Sequence, residues 1–321
     1  MTGHTAERIT LARLPSGVEI STTVHSYGDG DGPTVYVQAA QHGREVNGTA
    51  TLRRLHERLD PGEVRGRIVA VPVADPLTFD RVAYTTTEPL DSVNPNMNRV
   101  WPGDPSGTLH ERMAARLWSL AGEADAIVDL HTASRDSLTH VVFREGDADS
   151  RELAEAFGTD LLLAELADED ATEEWHARDF GGKLRVAASE AGIPSITPEL
   201  AHNKEIVESA VEAGVAGLTN VLRALDVLPG SPEHHESPPL YRNHLGRVTA
   251  EDSGLFRVDP DVEIGQTVEA GEHVGTLYDP TSYETLQTVE TDRSGLLYSV
   301  TRESTVMAGD SLVQVALPLE A

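Results

Sequence analysis

The 321-residue chain carries 53 acidic against 25 basic residues, a formal net charge of −28, and no cysteine. That inventory excludes disulfides, a cysteine nucleophile and thiolate-bound zinc, so any zinc must be held by His, Asp and Glu. Nucleic-acid binding through phosphate contacts is disfavoured, and no apolar run of about 18 residues could cross a membrane as a helix.

A hydrophobic content of 39% supports a real core, in one large domain or two moderate ones. Lys183 and Lys204 are the only lysines. Acidity is spread along the chain, as suits molar-salt cytoplasm, where a short Debye length screens self-repulsion. Met1 to Arg13 lacks the apolar core of a signal peptide. Together these predict a cytoplasmic protein of a salt-accumulating halophile.

Residues 1–33 read as a strand-rich lead-in closed by the turn-rich loop Gly28 to Pro33. Val35 to Ala40 is a buried-strand pattern that breaks at Gln41-His42-Gly43, and a helical pattern runs from about Val46 to Leu59. Arg67 to Val73 is the next strand. A long loop, about 75–107, follows; its proline, asparagine and tryptophan predict order and function. Thr108 to Leu120 reads as an amphipathic helix and Asp125 to His131 as a strand. Arg151 to Phe157 looks helical, Glu165 to Glu174 looks like a solvated loop or edge, and Gly182 to Ala191 a helix. Ile193 to Leu200 reads as a strand and Lys204 to Leu225 as a long helix. Strands alternating with helices predict an α/β fold with a mixed, mostly parallel sheet flanked by helices. We expect this domain over 1–228, a Pro-rich linker over 229–239, and a β-rich domain over 240–321 with short β-like runs and glycines at 246, 254, 265, 271, 275, 295 and 309.

The chemistry gathers at strand ends, where parallel α/β sheets place their sites. His42 and Glu45 follow one strand and His131 ends another. Two histidines and a carboxylate fit a catalytic zinc site with a fourth position for water. The pattern His-x-x-Glu is weak alone, since it recurs at His4–Glu7 and His202–Glu205 without downstream partners. Asp129, two residues before His131, points to the same strand face and can orient it. Glu199 closes a third strand, where a carboxylate can serve as base for zinc-bound water or simply cap a helix. Asn98-Arg99 in the long loop can grip a substrate carboxylate or stand solvated.

Four segments, Gln41 to Gly48, Asn98 to Gly103, Asp129-Leu130-His131-Thr132 and Pro198-Glu199-Leu200, resemble in order and spacing the succinylglutamate desuccinylase/aspartoacylase family of the zinc carboxypeptidase superfamily. The resemblance covers about residues 30–321. It implies a zinc-carboxypeptidase-like fold and one Zn2+ per chain on His42, Glu45 and His131. It also implies Glu199 as catalytic base and acid, Asn98-Arg99 as carboxylate clamp, and Arg185 contacting the substrate's other end. The β-rich C-terminal domain resembles the family's barrel-sandwich. No lysine follows Lys204, which excludes a swinging-arm carrier. In one respect the chain departs from the family: Tyr84 to Glu88 lacks the Arg expected before Pro89-Leu90-Asp91, with Arg81 the nearest substitute.

The expected function is zinc-dependent hydrolysis of a small anionic N-acyl amino acid, in which zinc-bound water attacks the carbonyl. Two alternatives stay open: a metallocarboxypeptidase acting on short peptides, and a non-catalytic zinc- or ligand-binding protein on the same fold. Homo-oligomerisation also stays open.

Overall fold

Two parallel strands, β3 (Thr34–Ala39) and β5 (Ala126–Ala133), lie side by side in the middle of a long mixed sheet and present the candidate site at their ends. The computed structural model describes residues 3–133, 136–166, 175–176, 180–233, 238–302 and 304–319. Residues 234–237 of the Pro-rich stretch and 167–174 of the acidic segment lie outside these.

Among the described residues the main sheet has thirteen strands. On one side of the central pair come β4 (Arg67–Val71), β2 (Glu19–Tyr27) and the edge strand β1 (His4–Arg13). On the other come β9 (Ser195–His202), β7 (His140–Arg144), β8 (Leu162–Glu165) and β10 (Leu240–Thr249). The sheet then continues through β17 (Ser311–Pro318), β15 (Gly295–Val300) and β12 (Thr267–Val268), with β6 (Asp136–Ser137) pairing β15. Pairing is parallel from β4 through β3 and β5 to β9, and antiparallel between β9 and β7. A separate antiparallel sheet holds β14 (Thr285–Glu290), β13 (His273–Tyr278), β11 (Gly254–Val258) and β16 (Thr305–Val306). The predicted fold class, a mixed sheet with flanking helices and a C-terminal β region, is what the chain forms.

Side-chain alternation explains why both faces are covered. Val35, Val37 and Ala39 enter one core with Leu52 and Leu55 of α1 (Asn47–Arg58), Phe157 of α4 (Ala148–Phe157) and Val221 of α6 (Glu208–Ala224). Tyr36 and Ile127 enter the opposite core with Met113 and Leu117 of α3 (Leu109–Ala121) and Leu184 of α5 (Leu184–Glu190). A capping box starts α3: the Thr108 N–H donates to Glu111 Oε2 at 2.7 Å.

The long loop is ordered by buried charge. Asp75 caps the short helix α2 (Pro76–Phe79), accepting from the N–H groups of Leu77 and Thr78. Its other oxygen meets His110 Nε2 at 3.2 Å, and His110 Nδ1 donates to the Asn94 carbonyl at 2.6 Å. Asp91 accepts from the backbone of Asn94 (2.8 Å) and His110 (3.0 Å). These bonds pin the segment that presents Asn98 and Arg99.

The acidic segment departs from expectation at its start. Glu165 ends β8 and is buried, paired with Lys183 and Arg185. Acidic composition suggested solvent, but two cations make burial of this carboxylate possible.

Candidate active site

The break after β3 is built into the backbone. Ala40 takes the left-handed region at φ 50°, turning the chain out of the sheet. Gly43 then passes so close to Thr78 that an added Cβ would lie 2.0 Å from its backbone. Only glycine fits there, and the turn aims His42 back across the strand end, with Glu45 N–H donating to the His42 carbonyl.

His42 Nδ1 faces Glu45 Oε1 at 2.8 Å, and His131 Nδ1 faces Glu45 Oε2 at 2.9 Å. All three residues are buried, and each offers a donor atom within 4.8 Å of the others. Outside this centre, His42 Nε2 donates to Asn96 Oδ1 (3.1 Å) and His131 Nε2 to Asp129 Oδ2 (3.0 Å). Asp129 is itself held by amide donation from Gln38 and Gln41, 2.9 Å each, and Trp101 Nε1 donates to Gln41 Oε1.

This donor set fits a divalent cation. With both Nε2 atoms engaged outward, the two Nδ1 atoms and the Glu45 carboxylate converge on one point, where a cation would take the place of the protons that bridge them. Tetrahedral zinc with Zn–N and Zn–O near 2.0–2.2 Å spaces its ligands about 3.3 Å apart, a little wider than the observed contacts. The field also favours positive charge. Burial opposes it at His131, but Asp129 and Glu45 outweigh burial and raise the His131 pKa well above the ordinary value. Burial likewise opposes charge on Glu45, yet His42 and His131 hold its pKa at about 2.

His42, Glu45, Asn98, Arg99, His131, Arg185 and Glu199 all line one cavity of about 170 Å3. Glu199 stands on β9 in register with His131 on β5 and with His140 on β7. Burial, reinforced by the charges of Glu45 and Asp129, pushes its pKa to about 7, while His131 and Lys183 restrain the rise. Asn98 Oδ1 accepts from the Leu184 N–H at 3.1 Å, and Arg99 lies over the Phe180 ring at 4.7 Å. Gly182 is required beside them, since a Cβ would fall 1.9 Å from the Arg99 carbonyl oxygen. Arg185 donates to Glu165 Oε2 in a buried, very short contact.

Several lining residues escaped the sequence reading. Lys183 shares Glu165 at 3.1 Å; burial, with Arg185 and Arg99 nearby, lowers its pKa to about 8 despite Glu165. His140 sits on β7, a strand the sequence pattern did not reveal. Tyr84 stacks on His42 with ring centroids 4.0 Å apart. It belongs to the very stretch that lacks the expected Arg. Arg81 does not replace that Arg: it is exposed, donates to the Leu77 carbonyl, and does not line the cavity. Tyr298 and Gln314, from β15 and β17, complete one wall.

Residues 31–225, more than half of the chain, match the succinylglutamate desuccinylase/aspartoacylase catalytic domain. The N-alpha-acetyl-L-2,4-diaminobutyric acid deacetylase of Halomonas elongata is 28% identical over 310 residues, covering 91% of this chain and 84% of that protein. Among solved structures, the succinylglutamate desuccinylase/aspartoacylase of Rhodobacter sphaeroides is 26% identical with a TM-score of 0.82, covering 100% of this chain and 96% of that one. The product-bound ectoine utilization protein EutE (DoeB) of Ruegeria pomeroyi shares the fold at 22% identity and a TM-score of 0.84, over 99% of this chain and 96% of that one.

Proposed function

We propose, on the premise that the chain belongs to the succinylglutamate desuccinylase/aspartoacylase family, that it is a zinc-dependent hydrolase cleaving the amide of a small anionic N-acyl amino acid. The observation that carries this is the convergence of His42, Glu45 and His131 in one cavity with Glu199 and Arg99. Zinc on the first three residues would supply a Lewis acid that polarises the amide carbonyl and acidifies water.

The chain's own groups then do the rest. Arg99, oriented beside Asn98, holds the substrate carboxylate in register. Glu199, with its pKa near 7, takes a proton from the attacking water. It returns that proton to the amide nitrogen as the C–N bond breaks, leaving a carboxylate and a free amine. Lys183 and Arg185 keep the far wall cationic for the acyl end, and Glu165 fixes both. Tyr84 covers His42 and helps exclude water.

The cavity, at about 170 Å3, is below the roughly 300–1,000 Å3 of drug-sized ligand sites. This favours an acylated amino acid over a peptide. Tyr298 and Gln314 close one wall of the cavity, which also speaks against an open carboxypeptidase cleft. On this reading the division into a hydrolase unit (1–228), a linker (229–239) and a β-rich unit (240–321) has a purpose: the last unit limits substrate size. The acidic composition supports a home in salt-rich cytoplasm. Among the described residues no helix is long and apolar enough to cross a membrane.

Assaying N-acetyl-2,4-diaminobutyrate, N-acetylaspartate, N-succinylglutamate and a short peptide side by side, with metal analysis, tests the proposal. Turnover of an acyl amino acid but not the peptide is expected. Stoichiometric zinc without turnover of any acyl amino acid would favour the binding-protein alternative.

A further inference from the structure

His4, the first residue of β1, belongs to a His-x-x-Glu pattern that the candidate active site does not use. It is not isolated in the fold. In the β1–β2 hairpin His4 lies opposite Tyr27 and Ala6 opposite His25, so His4, His25 and Tyr27 share one face of the sheet edge. His56, near the end of α1, closes over the same face.

The three imidazoles form a compact set. Ring centroids are 5.4 Å apart for His4 and His25, 4.9 Å for His4 and His56, and 5.9 Å for His25 and His56. One nitrogen from each lies within 4.8 Å of the others, and His4 Nε2 and His25 Nδ1 share a hydrogen bond at 3.1 Å, whose proton a bound metal ion would displace. That separation is close to the roughly 3.3 Å edge of a tetrahedron built with Zn–N bonds of about 2.0–2.1 Å. The Tyr27 hydroxyl meets His56 Nδ1 at 2.9 Å, the kind of outer hydrogen bond that fixes a metal-bound imidazole. No carboxylate pairs with any of the three among the described residues' ion pairs, although the chain is rich in acid.

We propose that His4, His25 and His56 form a second transition-metal site, separate from the candidate active site. An all-imidazole set selects zinc, copper or nickel over magnesium or calcium, which prefer oxygen. A bound ion joins the edge hairpin to α1, the helix that begins just after Glu45. The site is therefore structural: it lies outside the cavity, and its occupancy fastens β1 and β2 to the body of the fold.

The test is zinc uptake by untagged, full-length protein, measured by equilibrium dialysis in high salt with excess Mg2+ present. Wild type is compared with His56→Gln, on an exposed helix position, and with His25→Gln. Each variant should bind one zinc fewer than wild type, show a smaller zinc-induced rise in Tm, and keep the wild-type hydrolytic rate. The difference between wild type and variant reads this site whether or not the cavity binds zinc. Undiminished zinc uptake in both variants would overturn the proposal, as would loss of the ion to Mg2+.

Discussion

His131 and Glu199 occupy matched positions on the neighbouring parallel strands β5 and β9. Register alone therefore brings the imidazole that faces Glu45 and the carboxylate with a raised pKa to one end of the sheet. The pairing predicts how the rate depends on pH. Burial holds the Glu199 pKa above the ordinary carboxylate value, at about 7 with no cation beside it, and a bound cation would draw it down, so its basic form grows in as pH rises toward 7. Measured kcat/KM should rise through that range, and in Glu199→Gln this limb should vanish with a loss of about 10²–10⁴ in kcat. Tm should be nearly unchanged.

Lys183 sets the alkaline side. Its lowered pKa, about 8, means the ammonium discharges above that pH and the cavity loses a cation. KM for an anionic substrate should climb there, and Lys183→Met should flatten that limb while raising KM at neutral pH. A pH profile of KM in wild type and variant checks this.

Arg99 is expected to select carboxylates. Loss of a charge-assisted bond costs about ten- to a hundredfold in binding. Arg99→Ala should lower kcat/KM by that factor for the acyl amino acid but leave its carboxamide analogue almost unaffected. Equal losses on both substrates would argue for a purely structural role.

Asp91 holds the loop that presents Arg99. Burial disfavours its charge, but backbone donation from Asn94 and His110 wins, so its folded pKa lies below the unfolded value. The stabilisation is thus complete above the unfolded pKa and fades as pH falls through the folded one. Asp91→Asn should cost about 1–3 kcal/mol at neutral pH, read by denaturant melts, and the gap from wild type should close in acid.

The surplus of acid should make stability depend on salt. Raising KCl from low concentrations to the molar range shortens the screening length and should raise Tm, most steeply at the low end.

The central residues were legible because each marks a change of pattern: His42 and Glu45 where an apolar run gives way to helical spacing, His131 and Glu199 late in apolar strands. Position along a strand is local information, and so is the Thr108 cap of α3. Sheet order is not. His140 reaches Glu199 because β7 inserts antiparallel beside β9, and Glu165 is buried only because Lys183 and Arg185 meet it from another segment. Tyr84 was hidden by its loop, whose path depends on the buried Asp75–His110 contact. The cluster at His4 needed the hairpin register and α1 together before its spacing meant anything.

The most direct measurement is hydrolysis of N-acetyl-2,4-diaminobutyrate and the other acyl amino acids by chelator-stripped protein before and after zinc is returned, in wild type and His42→Ala. We expect the stripped wild type to be inactive, zinc to restore it, and His42→Ala to stay inactive while folded. Full activity in the stripped protein or in His42→Ala would contradict a zinc-dependent reaction at His42, Glu45 and His131.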